Sequence, residues 1–370
     1  MRNSARRARA LAAVVGAGLL TLTACGGGGS TTGAGASGTA TTGGQASAKG
    51  GTIALLLPES KTTRYESFDR PYFEQKVKAI CPSCTIVYAN ADQDAAKQQQ
   101  QAESALTQGA KVMVLDPVDS AAAASIVTSA HSDGVPVIAY DRFIRNAPIS
   151  YYISFDNEKV GRLQGQALVD KLKADGAKGG IVMINGSPTD NNAGQFKKGA
   201  HSVLDSSGYK ILAEYDTPDW SPDKAQTWMS GQLTQLPKDQ LVGVYAANDG
   251  TAGGAIAAMK AAGVSPIPPV TGQDAELAAI QRILTGDQYM TVYKAIRPEA
   301  DQAAQLAVSL LRGEKPAGKA QVEGIPSFLL EPVAVTKDTV KDTVVKDGFY
   351  TVNQICTPTY AKACAAAGLS

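Results

Sequence analysis

Asp141 and Arg142, Asp190 and Asn192, Asn248, Gln273 and Asp274, and Lys294 lie far apart in the chain, yet each stands just past a short apolar run. Carboxylate and amide oxygens accept protons from hydroxyl groups, while guanidinium, ammonium and amide N–H groups donate to hydroxyl oxygens. A set of both kinds suits a neutral, polyhydroxylated ligand, with charge-assisted hydrogen bonds contributing about 1.5–3 kcal/mol each. Tyr65 and Trp220 fall outside regular elements, where an aromatic face can pack on the C–H face of a sugar ring. The competing reading of Trp220 is a packing residue of the core or a hinge, and Asp249 and Asn191 read as helix caps. Capping accounts for one side chain at a junction. It does not account for the adjacent opposite charges of Asp141 and Arg142, nor for a lysine at a strand end.

Side chains so distant in sequence converge only if the elements between them form layers. From residue 52 the chain alternates short apolar runs with helical stretches. Strands are expected at 52–57, 85–88, 112–115, 136–140, 180–184, 211–215 and 241–245, and helices at 93–108, 120–132 and 193–204. This alternation predicts an α/β fold with parallel sheets covered on both faces. In open sheets of that kind ligands bind beyond the carboxyl ends of the strands, where the polar residues above stand.

The 370 residues are enough for about two domains. The 35 basic and 34 acidic side chains give a net charge of +1, but Arg2, Arg6, Arg7 and Arg9 all precede the body. Without those four, 31 bases face 34 acids. Such a body lacks the basic surface that phosphate contacts require, which excludes a nucleic-acid partner. Residues 1–24 read as a secretory leader, and Leu22-Thr23-Ala24-Cys25 resembles the lipobox of bacterial lipoproteins. Cys25 would then be acylated and hold the chain to a lipid bilayer on the outer face of the cell membrane, each buried methylene contributing about 0.8 kcal/mol. Residues 25–50, rich in Gly, Ser, Thr and Ala, read as a flexible tether with a reach of roughly 25–30 Å. Four further cysteines, Cys81, Cys84, Cys356 and Cys364, favour disulfides in an exported chain. Three connectivities exist, and the local pairs Cys81–Cys84 and Cys356–Cys364 are expected. His131 and His201 fall on surface helices, and the sequence offers no phosphate-binding glycine loop or metal cluster. No catalytic residue, metal or cofactor is assigned.

Six blocks carry a family likeness: YDR at 140–142, YISFDNEKVG at 152–161, GSPTDNNA at 186–193, NDGTAGGAI at 248–256, GQDA at 272–275 and MTVYK at 290–294. They resemble the D-xylose-binding proteins of bacterial ABC importers, over residues 51–349. The resemblance implies a type I periplasmic-binding-protein fold, with two doubly wound parallel-sheet lobes joined by three hinge crossings. It assigns 51–155 plus 295–323 to the N-terminal lobe, and 156–294 plus 324–370 to the C-terminal lobe and its extension. It places sugar contacts at Arg64, Tyr65, Asp141, Arg142, Asp190, Asn192, Trp220, Asn248, Asp274 and Lys294. It also implies a monomer that delivers D-xylose to a membrane permease, with another aldose such as glucose, or chemosensing, as alternatives. A secreted glycoside hydrolase is the rival from another class. That chemistry needs two carboxyls about 5–9.5 Å apart, one with a raised pKa, whereas Arg142 and Lys294 are expected to lower carboxylate values and favour holding over proton donation.

Overall fold

A computed structural model describes residues 50–237 and 240–369. The expected leader, Cys25 and nearly all of the tether lie outside the described residues.

The chain begins with β1 (Thr52–Leu57), whose TIALLL run is buried on both faces as a strand inside a covered sheet must be. A helical turn, Tyr65–Asp69, leads into α1 (Arg70–Ile80). Then follow β2 (Thr85–Asn90), α2 (Ala95–Thr107), β3 (Ala110–Leu115), α3 (Ala124–Ser132), β4 (Val137–Tyr140) and β5 (Tyr151–Phe155). The second half continues with α4 (Asn157–Ala174), β6 (Gly180–Asn185), α5 (Asn191–Leu204), β7 (Lys210–Asp216), α6 (Pro222–Gln235), β8 (Leu241–Ala246), α7 (Asp249–Ala261), α8 (Leu277–Thr285) and β9 (Met290–Tyr293). The chain ends with α9 (Ile296–Leu311), β10 (Ala320–Val322), β11 (Ile325–Leu330), β12 (Val333–Thr336), α10 (Val352–Ile355) and α11 (Ala361–Ala366). Side-chain oxygens start several helices: Asp94 caps α2, Asp156 caps α4 and Ser221 caps α6.

The first sheet has the order β10-β11-β5-β4-β3-β1-β2 and is parallel except at β10. In the second lobe β7-β6-β8 are parallel, and single bridges at Val244–Val270 and Gln273–Val292 carry the sheet on to the antiparallel pair β9-β12. Each sheet has an apolar core on both faces, with α1 and α9 against α2 and α3 in the first lobe, and α4 and α5 against α6 and α7 in the second. Helices α4 and α5 touch backbone to backbone. A Cβ on Gly161 would stand 1.9 Å from the Phe196 carbonyl oxygen, and one on Gly199 would stand 2.0 Å from that of Glu158.

The chain passes between the lobes three times, after Phe155, after Lys294 and after Leu330. The third crossing therefore falls beyond the expected boundary at Glu323. Glu323 and Gly324, both at positive φ (48° and 82°), form the tight turn of the β10-β11 hairpin, and β11 then pairs with β5 in the first sheet. The Sγ atoms of Cys81 and Cys84 lie 1.97 Å apart and those of Cys356 and Cys364 lie 2.10 Å apart, in the local pairing expected. The first pair stands between a helix and a strand, α1 and β2. No helix among the described residues is long and apolar enough to cross a membrane, and among them no cluster of His, Cys, Asp and Glu could hold a metal ion.

Candidate functional site

The loops beyond the strands meet at one small cavity between the lobes, with a volume of about 20 Å³. Lobe one supplies Arg64 and Tyr65 after β1 and Asp141 and Arg142 after β4. Lobe two supplies Asp190 and Asn192 after β6, Trp220 after β7, Asn248 after β8 and Asp274 before β9, and Lys294 stands at the second crossing. All ten anticipated contacts thus line the same space, joined by Thr62, Phe196 and Gln273. Phe196 lies four residues after Asn192 on α5, the helical spacing that could have revealed it.

Arg64 is chiefly a brace. Its Nε donates to Asp69 Oδ2 (2.9 Å), Nη2 to Asp69 Oδ1 (2.6 Å) and Glu299 Oε2 (2.7 Å), and Nη1 to Asp141 Oδ1 (2.9 Å). A guanidinium carries five N–H groups, so one remains for a ligand. Lys294 Nζ bridges the lobes, 3.6 Å from Asp141 Oδ1 and 3.2 Å from Asp274 Oδ1. Arg142 does the same, with Nε 3.0 Å from Asp190 Oδ2 and Nη2 donating to the Tyr65 hydroxyl. Asn192 Nδ2 donates across to the Asp141 carbonyl (3.0 Å). Two cavity-lining oxygens, Asn192 Oδ1 and Gln273 Oε1, accept no hydrogen bond from the protein and can take hydroxyl protons.

Trp220 combines both readings of it. It is buried, its ring stands edge-on to Phe196 at 6.2 Å, and it donates Nε1 to Asp190 Oδ2 (3.0 Å) while lining the cavity. The expected division between caps and contacts is corrected. Asp190 and Asn248 themselves cap α5 and α7, accepting from Asn192 N and Thr251 N, because the cap is the last residue before the helix and Asn191 and Asp249 are already inside it. Asp141, Trp220 and Asp274 hold φ values of 55°, 52° and 95°, a left-handed backbone that costs side-chain-bearing residues energy and recurs where function fixes orientation.

The sequence matches the periplasmic binding protein domain over residues 53–315. The chain belongs to the periplasmic binding protein family. It is 38% identical over 318 residues to the D-xylose-binding periplasmic protein of Haemophilus influenzae, covering 84% of this chain and 93% of that one. It is equally 38% identical to the protein of the same name from Escherichia coli strain K12, covering 84% and 94%. An ABC transporter solute-binding protein from Clostridium phytofermentans, solved with β-D-glucose, superposes with a TM-score of 0.74 at 30% identity, over 82% of this chain and 99% of that one.

The electrostatics of this periplasmic binding protein favour an uncharged ligand. Three cavity carboxylates, Asp141, Asp190 and Asp274, face three cations, Arg64, Arg142 and Lys294. Behind them Asp69, Asp116 and Glu299 are buried against Arg64 and Arg142. Nothing in the sequence marks these three supports. Burial pushes Asp116 and Glu299 well above the usual carboxylate range. Burial alone would raise Asp141 too, but Arg64, Lys294 and Arg142 together outweigh it and hold the group at about 2. Asp190 departs from expectation, since its burial outweighs Arg142 and raises its pKa. Its oxygens are nonetheless engaged by Asn192 N–H, Trp220 N–H and Arg142.

Asp249, expected as a plain cap, is fully buried. It accepts from Gln288 Nε2 (2.7 Å), Thr291 Oγ1 (2.9 Å) and Glu276 N (2.9 Å), and burial raises it to about 7. Burial and the nearby Asp249 and Asp274 carboxylates push Glu276 to about 8. The unfolded chain releases both protons near the ordinary values of 3.8 and 4.5, so the native state holds more protons between about pH 4 and 8 and loses stability as pH rises. The unfolding midpoint is expected to be higher at pH 5 than at pH 8, with Asp249→Asn flattening the slope. A midpoint that climbs steadily over that interval in thermal melts contradicts this assignment.

Proposed function

We propose that this chain is the solute-binding subunit of an ABC sugar importer, closing on one neutral monosaccharide and presenting it to the membrane permease. The carrying observation is the convergence of donors and acceptors from both lobes on one small cavity. D-xylose is the first choice, supported by the names of the relatives at 38% identity. Glucose is the second, supported by structural neighbours solved with it. The chain works as a monomer held to the outer face of the membrane by acylated Cys25, with both cysteine pairs oxidised. Closure follows from differential contact: a sugar that touches groups of both lobes completes its bonds only when they meet.

Calorimetric titration with a panel of monosaccharides tests this. One site of micromolar or tighter affinity is expected, about −8 kcal/mol, and Arg142→Ala or Asp274→Ala weakens it at least tenfold. Heat of turnover, or released product, would instead favour a hydrolase. Mass measurement of the membrane-extracted protein tests acylation, since an unmodified Cys25 removes the anchor.

A further inference from the structure

The C-terminal extension is not used by the cavity, yet it reaches the loop that supplies it. Residues 340–369 pack on α8, β9 and β12 of the second lobe, with Val340, Val344, Ile355 and Leu369 buried against Ile280, Ile283 and Val335. Gln281 Nε2 on α8 donates to the Ile355 carbonyl (3.2 Å), and the Cys356–Cys364 pair closes the extension on itself. Phe349 and Tyr350 form a buried aromatic socket there, backed by Tyr293 of β9 at 5.2 Å. Into it comes Phe68 from the other lobe, stacked on Phe349 at 4.2 Å and edge-on to Tyr350 at 5.6 Å. Phe68 belongs to the turn Tyr65–Asp69, whose ends are a cavity-lining residue and the carboxylate that holds Arg64.

We propose that Phe68 and its Phe349–Tyr350 socket are a latch that sets how long the ligand stays, resting on the sugar-binding reading above. Phe68 is a positioning residue. It does not line the cavity, but seating its ring fixes the Arg64–Tyr65 loop against the second lobe. Sugar enters while the lobes are apart, before the ring is seated, so association is blind to the latch. Release requires the lobes to part and the ring to leave its socket, so dissociation carries the whole effect.

Stopped-flow exchange of D-xylose on the full chain, with a dye pair reporting the distance between lobes, tests this in Phe68→Ala, Phe68→Leu and Phe349→Ala. Losing the half-buried stacked ring is expected to speed release by roughly ten- to a hundredfold in Phe68→Ala and less in Phe68→Leu. Association stays within about twofold and the order of preference between xylose and glucose is unchanged. Without sugar, the mean interlobe distance increases. If Phe68→Ala does not unfold cooperatively, Phe68→Leu and Phe349→Ala decide. Unchanged release in folded variants, slower association or an altered sugar preference each overturns the latch. If the wild type takes up no monosaccharide, the sugar reading fails on its own, and an interlobe distance identical in wild type and variants overturns the latch separately.

Discussion

Asp141→Asn is expected to weaken monosaccharide binding by at least a hundredfold while the protein stays folded. The two Asp141 functions separate cleanly between side chain and main chain. Its carbonyl oxygen accepts from Ser154 Oγ, Tyr152 Oη and Asn192 Nδ2, and these bonds survive the change. The carboxylate does not survive it. Oδ1 serves Arg64 and Lys294 together, so an amide removes a buried anion and, in one orientation, sets N–H against N–H. Losing a charge-assisted bond costs about 1.5–3 kcal/mol, and Arg64 and Lys294 each lose one while keeping Asp69, Glu299 and Asp274, so the two losses together reach the roughly 2.8 kcal/mol that corresponds to a hundredfold. Calorimetric titration checks the loss, with a thermal melt of the sugar-free protein beside it. A change below about threefold would remove Asp141 from the site. The wild type supplies a pH arm. With its ordinary value of 3.8 depressed to about 2, the Asp141 contribution is complete above pH 4 and disappears as pH falls through about 2.

Gly161→Ala should cost at least about 3 kcal/mol of stability, because the new methyl meets backbone, the part of the chain least able to yield. Its Cβ would lie 1.9 Å from the Phe196 carbonyl oxygen and 2.8 Å from Ala200 N, so α4 and α5 must move apart. Overpacking a close-packed contact typically costs about 1–3 kcal/mol, more where no side chain can rotate away. Moving α5 also displaces Asp190, Asn192 and Phe196 at its first turns, so sugar affinity falls with stability. Gly194→Ala, on the facing helix α5, is the control. Nothing lies within 4 Å of its added Cβ, and the better helix propensity of alanine makes it neutral or stabilising by up to about 1 kcal/mol. Urea unfolding distinguishes the two, and a Gly161→Ala midpoint matching that of Gly194→Ala would exclude the close approach.

The alternation of apolar runs and helices was legible because parallel strands buried on both faces leave continuous apolar stretches, and polar residues after them stand out. Asp141, Asp190, Asn248 and Lys294 could be found that way; Arg64 and the order of the blocks came through family likeness. The supports could not be found. Glu299 sits at the start of a helix from a third segment, Asp69 in a turn without pattern, and Asp116 beyond a strand whose neighbours are unremarkable; only the packed structure shows that they face Arg64 and Arg142. The boundary at Glu323 failed for a related reason. A Glu-Gly pair is a weak turn signal, and nothing local distinguishes a hairpin within one lobe from a passage to the other. The left-handed backbones of Asp141, Trp220 and Asp274 were equally invisible, since no glycine stands at any of them.

The triple passage of the chain has a consequence for measurement. Three side-by-side connectors forbid the two bodies from drifting apart or sliding, and leave them little but bending and twisting about a common axis. Any pair of optical labels, one on each body, therefore reads nearly the same coordinate. Two pairs whose titration curves disagree would reveal an additional conformer, so the molecule is its own internal standard as a sugar sensor.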